Sequence, residues 1–281
     1  MAILNKTVLI TGSTDGIGKQ IALELAQKGA KVLIHGRDKS KCVLIQDWIN
    51  NITGVNNVNF FTSDFSSLKE VNNLALELNN KLNRLDVLIN NAGVYMKKRE
   101  LSTDGYELTF AVNHLAHFLL TNQLLDLLKR SNYARIINIS SIAHSNAKLD
   151  WNNLNCDLHF DGYYAYALSK LLNIMYTYEL AERVKEFRIT VNCLHPGVIN
   201  TKLLHAGFNI TGASLEEGAK TSVYLADSDD VERETGKYFI GYSERFSSDI
   251  SYNKEFQKKL WDISERFCNI KYKPVNHYLI N

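Results

Sequence analysis

The segment Tyr166-Ala-Leu-Ser-Lys170 sets a phenol and an ammonium four residues apart. Composition and apolar spacing predict a helix over 163–186, and residues four apart on a helix share a face. Both side chains can therefore point into one cleft. A nearby cation favours phenolate over phenol, which lowers a tyrosine pKa from about 10 toward neutrality. A tyrosine tuned this way acts as general acid or base on a carbonyl/alcohol pair. Tyr and Lys at this spacing also occur on solvated helices, so the pair needs support from the rest of the chain.

A second group of residues follows the first strand-like run, Lys6-Thr-Val-Leu-Ile-Thr11. There the chain reads Thr11-Gly12-Ser13-Thr14-Asp15-Gly16-Ile17-Gly18 and opens into a helical pattern. A glycine-rich strand-to-helix turn lets backbone approach a pyrophosphate, and the helix N-terminus adds free N–H groups and positive dipole. The spacing is Gly-x3-Gly-x-Gly rather than the commoner Gly-x-Gly-x-x-Gly. Past the second strand comes His35-Gly36-Arg37-Asp38-Lys39-Ser40-Lys41. An acidic residue at this strand end would bond a free ribose 2′-hydroxyl, whereas the Arg37 guanidinium suits a 2′-phosphate, with Lys41 assisting. Asp38 leaves NAD open, but the residues favour NADP. After the third strand Asp64 is placed either to meet an adenine or to cap the following turn.

The elements that must hold these groups alternate regularly. Strands are expected at Thr7–Ile10, 31–35, Val58–Thr62, Val87–Asn90, 135–140, 189–194 and Lys237–Ile240. Helical patterns fall at 17–28, 39–50, 68–82, 106–129, 163–186, 215–226 and 254–267. This order predicts an α/β fold, doubly wound, with a mainly seven-stranded parallel sheet and helices on both faces. No Gly/Ser/Pro linker or repeat interrupts it, so one domain over 1–281 is expected, closed by a C-terminal helix and tail at about 251–281. Two loops stand out, 143–162 and 195–212, the second opening on Pro196-Gly197 and rich in apolar residues. Both are expected near the carboxyl ends of strands, where open α/β sheets bind ligands.

Composition bounds the function. The 281 residues are 45% hydrophobic and 22% charged with net charge +2, which gives no charged face for nucleic acid or membrane. Cys42, Cys156, Cys193 and Cys268 form no CxxC pair, and the histidines form no cluster, so neither a metal site nor a dithiol motif is expected. The chain reaches its first strand without a secretory signal pattern, and no 18-residue apolar run occurs. A cytoplasmic protein without a membrane anchor is the expectation. Of the two prolines, Pro196 and Pro274, the first marks the apolar loop.

Four motifs in order, Thr11 to Gly18, Asn90-Asn91-Ala92-Gly93, Ser140-Ser141 and Tyr166-x3-Lys170, resemble the short-chain dehydrogenase/reductase family over about 5–245. The likeness is closer to its retinol dehydrogenase-like branch, through Thr103-Asp104-Gly105-Tyr106-Glu107, Asn113-His114-Leu115-Ala116-His117-Phe118-Leu119-Leu120, Ser140-Ser141-Ile142-Ala143-His144 and His195-Pro196-Gly197. Thr235-Gly236-Lys237-Tyr238-Phe239 and Leu260-Trp261 extend it to about 267. The resemblance implies a Rossmann-like fold and a catalytic tetrad of Asn113, Ser141, Tyr166 and Lys170. Ser141 is taken over Ser140 because this branch uses the second serine, here 25 residues before the tyrosine.

The family chemistry assigns each residue a role. As nicotinamide hydride adds to a carbonyl carbon, Tyr166 protonates the oxygen and Ser141 hydrogen-bonds it. Lys170 binds the nicotinamide ribose and tunes the tyrosine, and Asn113 positions a water of a proton relay. Cofactor contacts are expected from Gly12, Ser13, Thr14, Asp15, Gly16, Ile17, Gly18, Arg37, Lys41, Asp64, Phe65, Asn91, Ala92 and Gly93. Pro196, Gly197, Val198 and Thr201 join them at the carboxamide end, beside Tyr166 and Lys170.

The expected activity is NADPH-dependent reduction of a lipophilic aldehyde or ketone, reversible to alcohol oxidation. A non-catalytic NADP-binding sensor is the alternative. Retinoid activity does not follow from the branch. Vertebrate members often carry an N-terminal anchor, which is not expected here. Many relatives pair through the two long helices, so monomer and homodimer both stay open. His114, His117, Tyr163 and Tyr164 read as packing residues, and Met96-Lys97-Lys98-Arg99 as a solvated basic loop.

Overall fold

In the computed structural model, which describes residues 3–208 and 210–272, one eight-stranded sheet runs in the order β3-β2-β1-β4-β5-β6-β7-β8. Its strands are β1 (Thr7–Ile10), β2 (Lys31–Gly36), β3 (Val58–Thr62), β4 (Val87–Asn90), β5 (Ala134–Ile139), β6 (Ile189–His195), β7 (Lys237–Ile240) and β8 (Ser243–Glu244). The first seven pair in parallel; β8 returns antiparallel on β7 as a two-residue edge. That extra strand is too short to leave a period in the sequence. Every residue of β4 and β5 is buried, Asn90, Arg135 and Asn138 included, as central parallel strands sealed on both faces require.

Helices α1 (Gly16–Gln27), α2 (Lys39–Thr53) and α8 (Leu215–Asp227) cover one face of the sheet. There Ile21, Leu25, Ile49 and Val223 meet Val8, Ile10, Val32 and Ile34. The other face is covered by α3 (Leu68–Lys81), α5 (Ala116–Lys129) and α6 (Gly162–Arg183), whose leucines meet Leu9, Leu33 and Ile136. Most helices start at a side-chain cap read directly from sequence: Asp15, Asp38, Ser67, Asp161 and Ser214 each accept a backbone N–H of the first turn. The strand order reverses between β1 and β4, and the carboxyl ends of those strands open the cleft.

The helix expected at 106–129 is broken. Glu107 caps a short α4 (Leu108–Phe110), a π-turn follows at Ala111–Leu115, and only then does α5 run on. Propensity carries no signal for a widened turn, but such turns gather at functional sites. This one contains Asn113. The apolar loop after β6 likewise holds an element missed in sequence, α7 (Lys202–Gly207), capped by Thr201.

At the C-terminus α9 (Lys254–Cys268) lies across α5 and α6, burying Trp261 against Phe118 and Tyr176. Residues 273–281, and with them Pro274 and the end of the expected tail, lie outside the described residues. Among the described residues no helix is long and apolar enough to cross a membrane.

Candidate active site

A cleft of about 630 Å³ runs from the glycine turn to the start of α6. Gly12 and Gly16 have φ of +62° and +54°, which L side chains rarely adopt. Gly18 is crowded instead: a Cβ there would stand 2.4 Å from Asn91 Nδ2 and 2.5 Å from the Gly12 carbonyl. Thr11 fastens the turn to the loop after β4, its Oγ1 accepting from the Asn91 and Ala92 amides at 2.9 Å. With those two bonds filling the oxygen, its proton goes to His117 Nε2 at 3.0 Å. Neutral His117 then donates from Nδ1 to the Asn113 carbonyl at 3.1 Å. One histidine thus links the turn to the π-turn.

Ser13 faces inward. It is fully buried, donates to the Ile10 carbonyl and accepts the His35 amide, so it does not line the cleft. Lys41 is exposed in the first turn of α2 and likewise lies off the cleft wall. Thr14, Asp15, Gly16, Ile17, Arg37, Asp64, Phe65, Asn91, Ala92 and Gly93 all line it. So do Pro196, Gly197, Val198 and Thr201. A residue missed in sequence, His35, also reaches it: its Nδ1 accepts the Gly12 amide at 3.2 Å and its ring stacks on Phe65 at 4.4 Å. Glycines that admit close backbone approach, an open α1 N-terminus and an arginine at the end of β2 fit a dinucleotide phosphate.

At the far end α6 brings Tyr166 and Lys170 together. Both are buried, with Lys170 Nζ 5.5 Å from the Tyr166 ring and donating to the Ile139 carbonyl at 3.2 Å. The two serines part company. Ser140 donates to the Lys170 carbonyl at 2.8 Å, while Ser141 lines the cleft together with Tyr166, its Oγ accepting the Ala143 amide at 3.2 Å. The expected lysine-driven drop in the tyrosine pKa is not found. Burial pushes the phenol up to about 12, with the Ser141 hydroxyl opposing, and burial brings Lys170 down to about 8. Inside the fold, loss of hydration outweighs the neighbouring charge.

Asn113 sits behind this pair, fully buried. Its Oδ1 accepts the Val94 amide at 2.8 Å, and its Nδ2 donates to the Val94 carbonyl and to Ser169 Oγ. The Asn113 carbonyl also takes Asn173 Nδ2 at 3.0 Å. Phe208, which lines the cleft, meets the Tyr166 ring at 6.3 Å between centres, and Tyr95 packs on both rings, 5.7 Å from Tyr166 and 5.5 Å from Phe208. Tyr95 left no trace in sequence because an isolated aromatic in a loop has no period. His114 bonds Asn173 and Ser264 away from the cleft, and Arg99 of the basic loop pairs with Asp157.

The model of the short chain dehydrogenase family matches residues 6–211. Human retinol dehydrogenase 13 is 38% identical to this chain, covering 97% of it and 87% of that protein. Human retinol dehydrogenase 14 is 37% identical over 92% of this chain and 85% of its own length. A solved protein from Mycobacterium paratuberculosis superposes with a TM-score of 0.82 at 28% identity, covering 97% of this chain and 96% of that one. A short chain dehydrogenase from Escherichia coli CFT073, solved with NADPH, gives 0.70 at 27% identity over 85% of this chain and 97% of its own. Sequence, sheet order and cleft agree: the chain belongs to the short chain dehydrogenase family, in its retinol dehydrogenase-like branch, and is an alcohol/carbonyl oxidoreductase that uses a nicotinamide cofactor.

Proposed function

We propose that the protein reduces a lipophilic aldehyde or ketone with NADPH, reversibly to alcohol oxidation. The observation that carries this reading is that Ser141, Tyr166 and Lys170 line one cleft together with the apolar side chains of Tyr163, Leu203 and Phe208. Tyr166 serves as proton donor to the substrate oxygen; a phenol held near 12 stays protonated throughout the neutral range. Ser141 hydrogen-bonds the same oxygen and holds it as charge develops. Lys170, close to Gly93, binds the nicotinamide ribose. Asn113 keeps the loop at Val94 and the α6 turn at Ser169 in register with them.

Gly12, Thr14, Gly16, Ile17 and Gly18 would hold the pyrophosphate, Asp64 and Phe65 the adenine, and Pro196, Gly197, Val198 and Thr201 the carboxamide. When bound, the cofactor supplies hydride to the carbonyl carbon. Arg37 supports NADP over NAD, since it lines the cleft after β2 and the neighbouring carboxylate Asp38 does not. The NADPH-bound relative supports the same choice. Four buried, unpaired thiols suit a reducing, cytoplasmic setting. A retinal/retinol pair, as the relatives' names indicate for them, falls within this substrate class.

The test is loss of NADPH against NADH absorbance over a panel of aldehydes, ketones and quinones. Turnover with NADPH is expected on apolar members, and Tyr166→Phe is expected to lower kcat by about 10³-fold. A Tyr166→Phe protein with full turnover would sink the assignment.

A further inference from the structure

Behind Ser141 lies a histidine that the chemistry above leaves without a task. His144 sits in the 3-10 turn Ile142–Asn146 directly after β5 and is 2% exposed. Its Nε2 accepts the backbone N–H of Ser248 at 3.1 Å. A backbone amide only donates, so Nε2 carries no proton, and the neutral ring bears its proton on Nδ1. That Nδ1–H donates to the Ser141 carbonyl at 2.7 Å, beside the His144 amide, which reaches the same oxygen at 3.1 Å. The Ser141 hydroxyl meanwhile accepts the Ala143 amide at 3.2 Å. The peptide after Ser141 is therefore held at its carbonyl, and the direction of the hydroxyl is fixed with it.

The ring itself cannot swing. It meets Tyr238 of β7 edge-on at 5.1 Å. Ser248, its other anchor, begins the turn Asp249–Tyr252, whose Ser251 is tied to Ser247, and Ser247 bonds Tyr178 of α6 at 2.7 Å. One imidazole therefore links the serine after β5 to the segment after β8 and, through it, to the helix carrying Tyr166 and Lys170.

We propose that His144 is a positioning residue for the reduction, its Nδ1–H holding the Ser141 carbonyl so that the Ser141 hydroxyl meets the substrate oxygen together with Tyr166. This rests on the role proposed for Ser141.

Two substitutions separate the ring's two bonds. In His144→Asn the side-chain amide stands where Nδ1 stood and keeps the bond to Ser141. In His144→Gln the longer side chain reaches the Nε2 place and keeps an acceptor for Ser248. With NADPH and para-nitrobenzaldehyde, His144→Asn is expected to retain kcat within a few-fold. His144→Gln and His144→Ala are expected to lose about 10- to 100-fold, with the NADPH KM unchanged within about 2-fold. In a Ser141→Ala background His144→Ala should cost nothing further.

A purely structural role would make kcat follow thermal stability across the three variants, and that result would overturn the proposal. So would an equal loss from His144→Ala with and without the Ser141 hydroxyl. If Ser141→Ala alone left turnover unchanged, the underlying reading of Ser141 would fall instead. Nitrogen NMR of the ring in the wild-type protein gives a readout free of turnover: Nδ1–H is expected, and an Nε2–H tautomer overturns the proposal.

Discussion

Removing the Ser141 hydroxyl takes away a polar group of a cleft-lining residue, whereas removing that of Ser140 breaks a bond to the Lys170 carbonyl inside the fold. The expected results therefore differ in kind. Ser141→Ala should lower kcat by about 10²- to 10³-fold with little change in melting temperature. Ser140→Ala should lose about 1–3 kcal/mol of stability and keep most turnover at low temperature. Thermal melts beside steady-state rates distinguish them; equal kinetic losses would make the serine assignment wrong. Arg37 carries a third prediction. An exposed guanidinium at the cleft rim matters to a 2′-phosphate and not to a 2′-hydroxyl, so Arg37→Ala should raise KM for NADPH about 10- to 100-fold while that for NADH barely moves. At this scale the sequence was informative where chemistry fixes residue type and spacing, as at Tyr166 and Lys170. It was silent on direction: nothing in Gly12-Ser13-Thr14 says that Ser13 turns inward while Thr14 lines the cleft.

Buried histidines connect the elements of the site. His35 joins β2 to the glycine turn, His117 joins that turn to the π-turn, and His114 joins the π-turn to α9. Burial holds His35, His114 and His195 down to about 4 and His117 to about 3, from an ordinary 6.5. Between those limits the unfolded chain binds more protons than the folded one, so stability falls as pH drops through 6.5 and levels off only below the folded values. The upper bound on that loss is about 3 kcal/mol for each group held near 4 and about 5 kcal/mol for His117. Urea midpoints across this window should fall steadily, and His117→Leu should be less stable at neutral pH yet lose less on acidification. A midpoint independent of pH there would contradict the buried, neutral rings.

Element boundaries were legible where a physical marker sits in the sequence. The parallel strands are near-continuous apolar runs, and α1, α2, α3, α6 and α8 begin at Asp or Ser caps. The π-turn at Ala111–Leu115 was not legible, because it is held by partners distant in sequence, Asn173 and Val94, rather than by local propensity. Nor was α7, whose six residues are too few for a period.

Over the whole molecule the C-terminal helix decides what remains free. Trp261 of α9 packs between Phe118 of α5 and Tyr176 of α6, with the Arg183 guanidinium 4.1 Å from its ring centre. Ser264 and Cys268 add bonds to His114 and to the Leu115 carbonyl, and Phe267 meets Phe110. The segment before Tyr166 joins in, Trp151 meeting Phe256 edge-on at 5.5 Å. The face of α5 and α6 is thus covered by this chain's own residues. A partner could reach it only by displacing α9 and exposing that aromatic layer, a loss of burial that a new interface would first have to offset. We therefore expect a monomer, with a light-scattering mass near 32 kDa over a wide concentration range. Trp261→Ala should cost about 3–5 kcal/mol and loosen α9. If helix pairing is latent beneath it, this variant will associate where the wild type does not, and cross-links will map to α5 and α6. A wild-type dimer cross-linked through those same helices would instead show that α9 does not block the face.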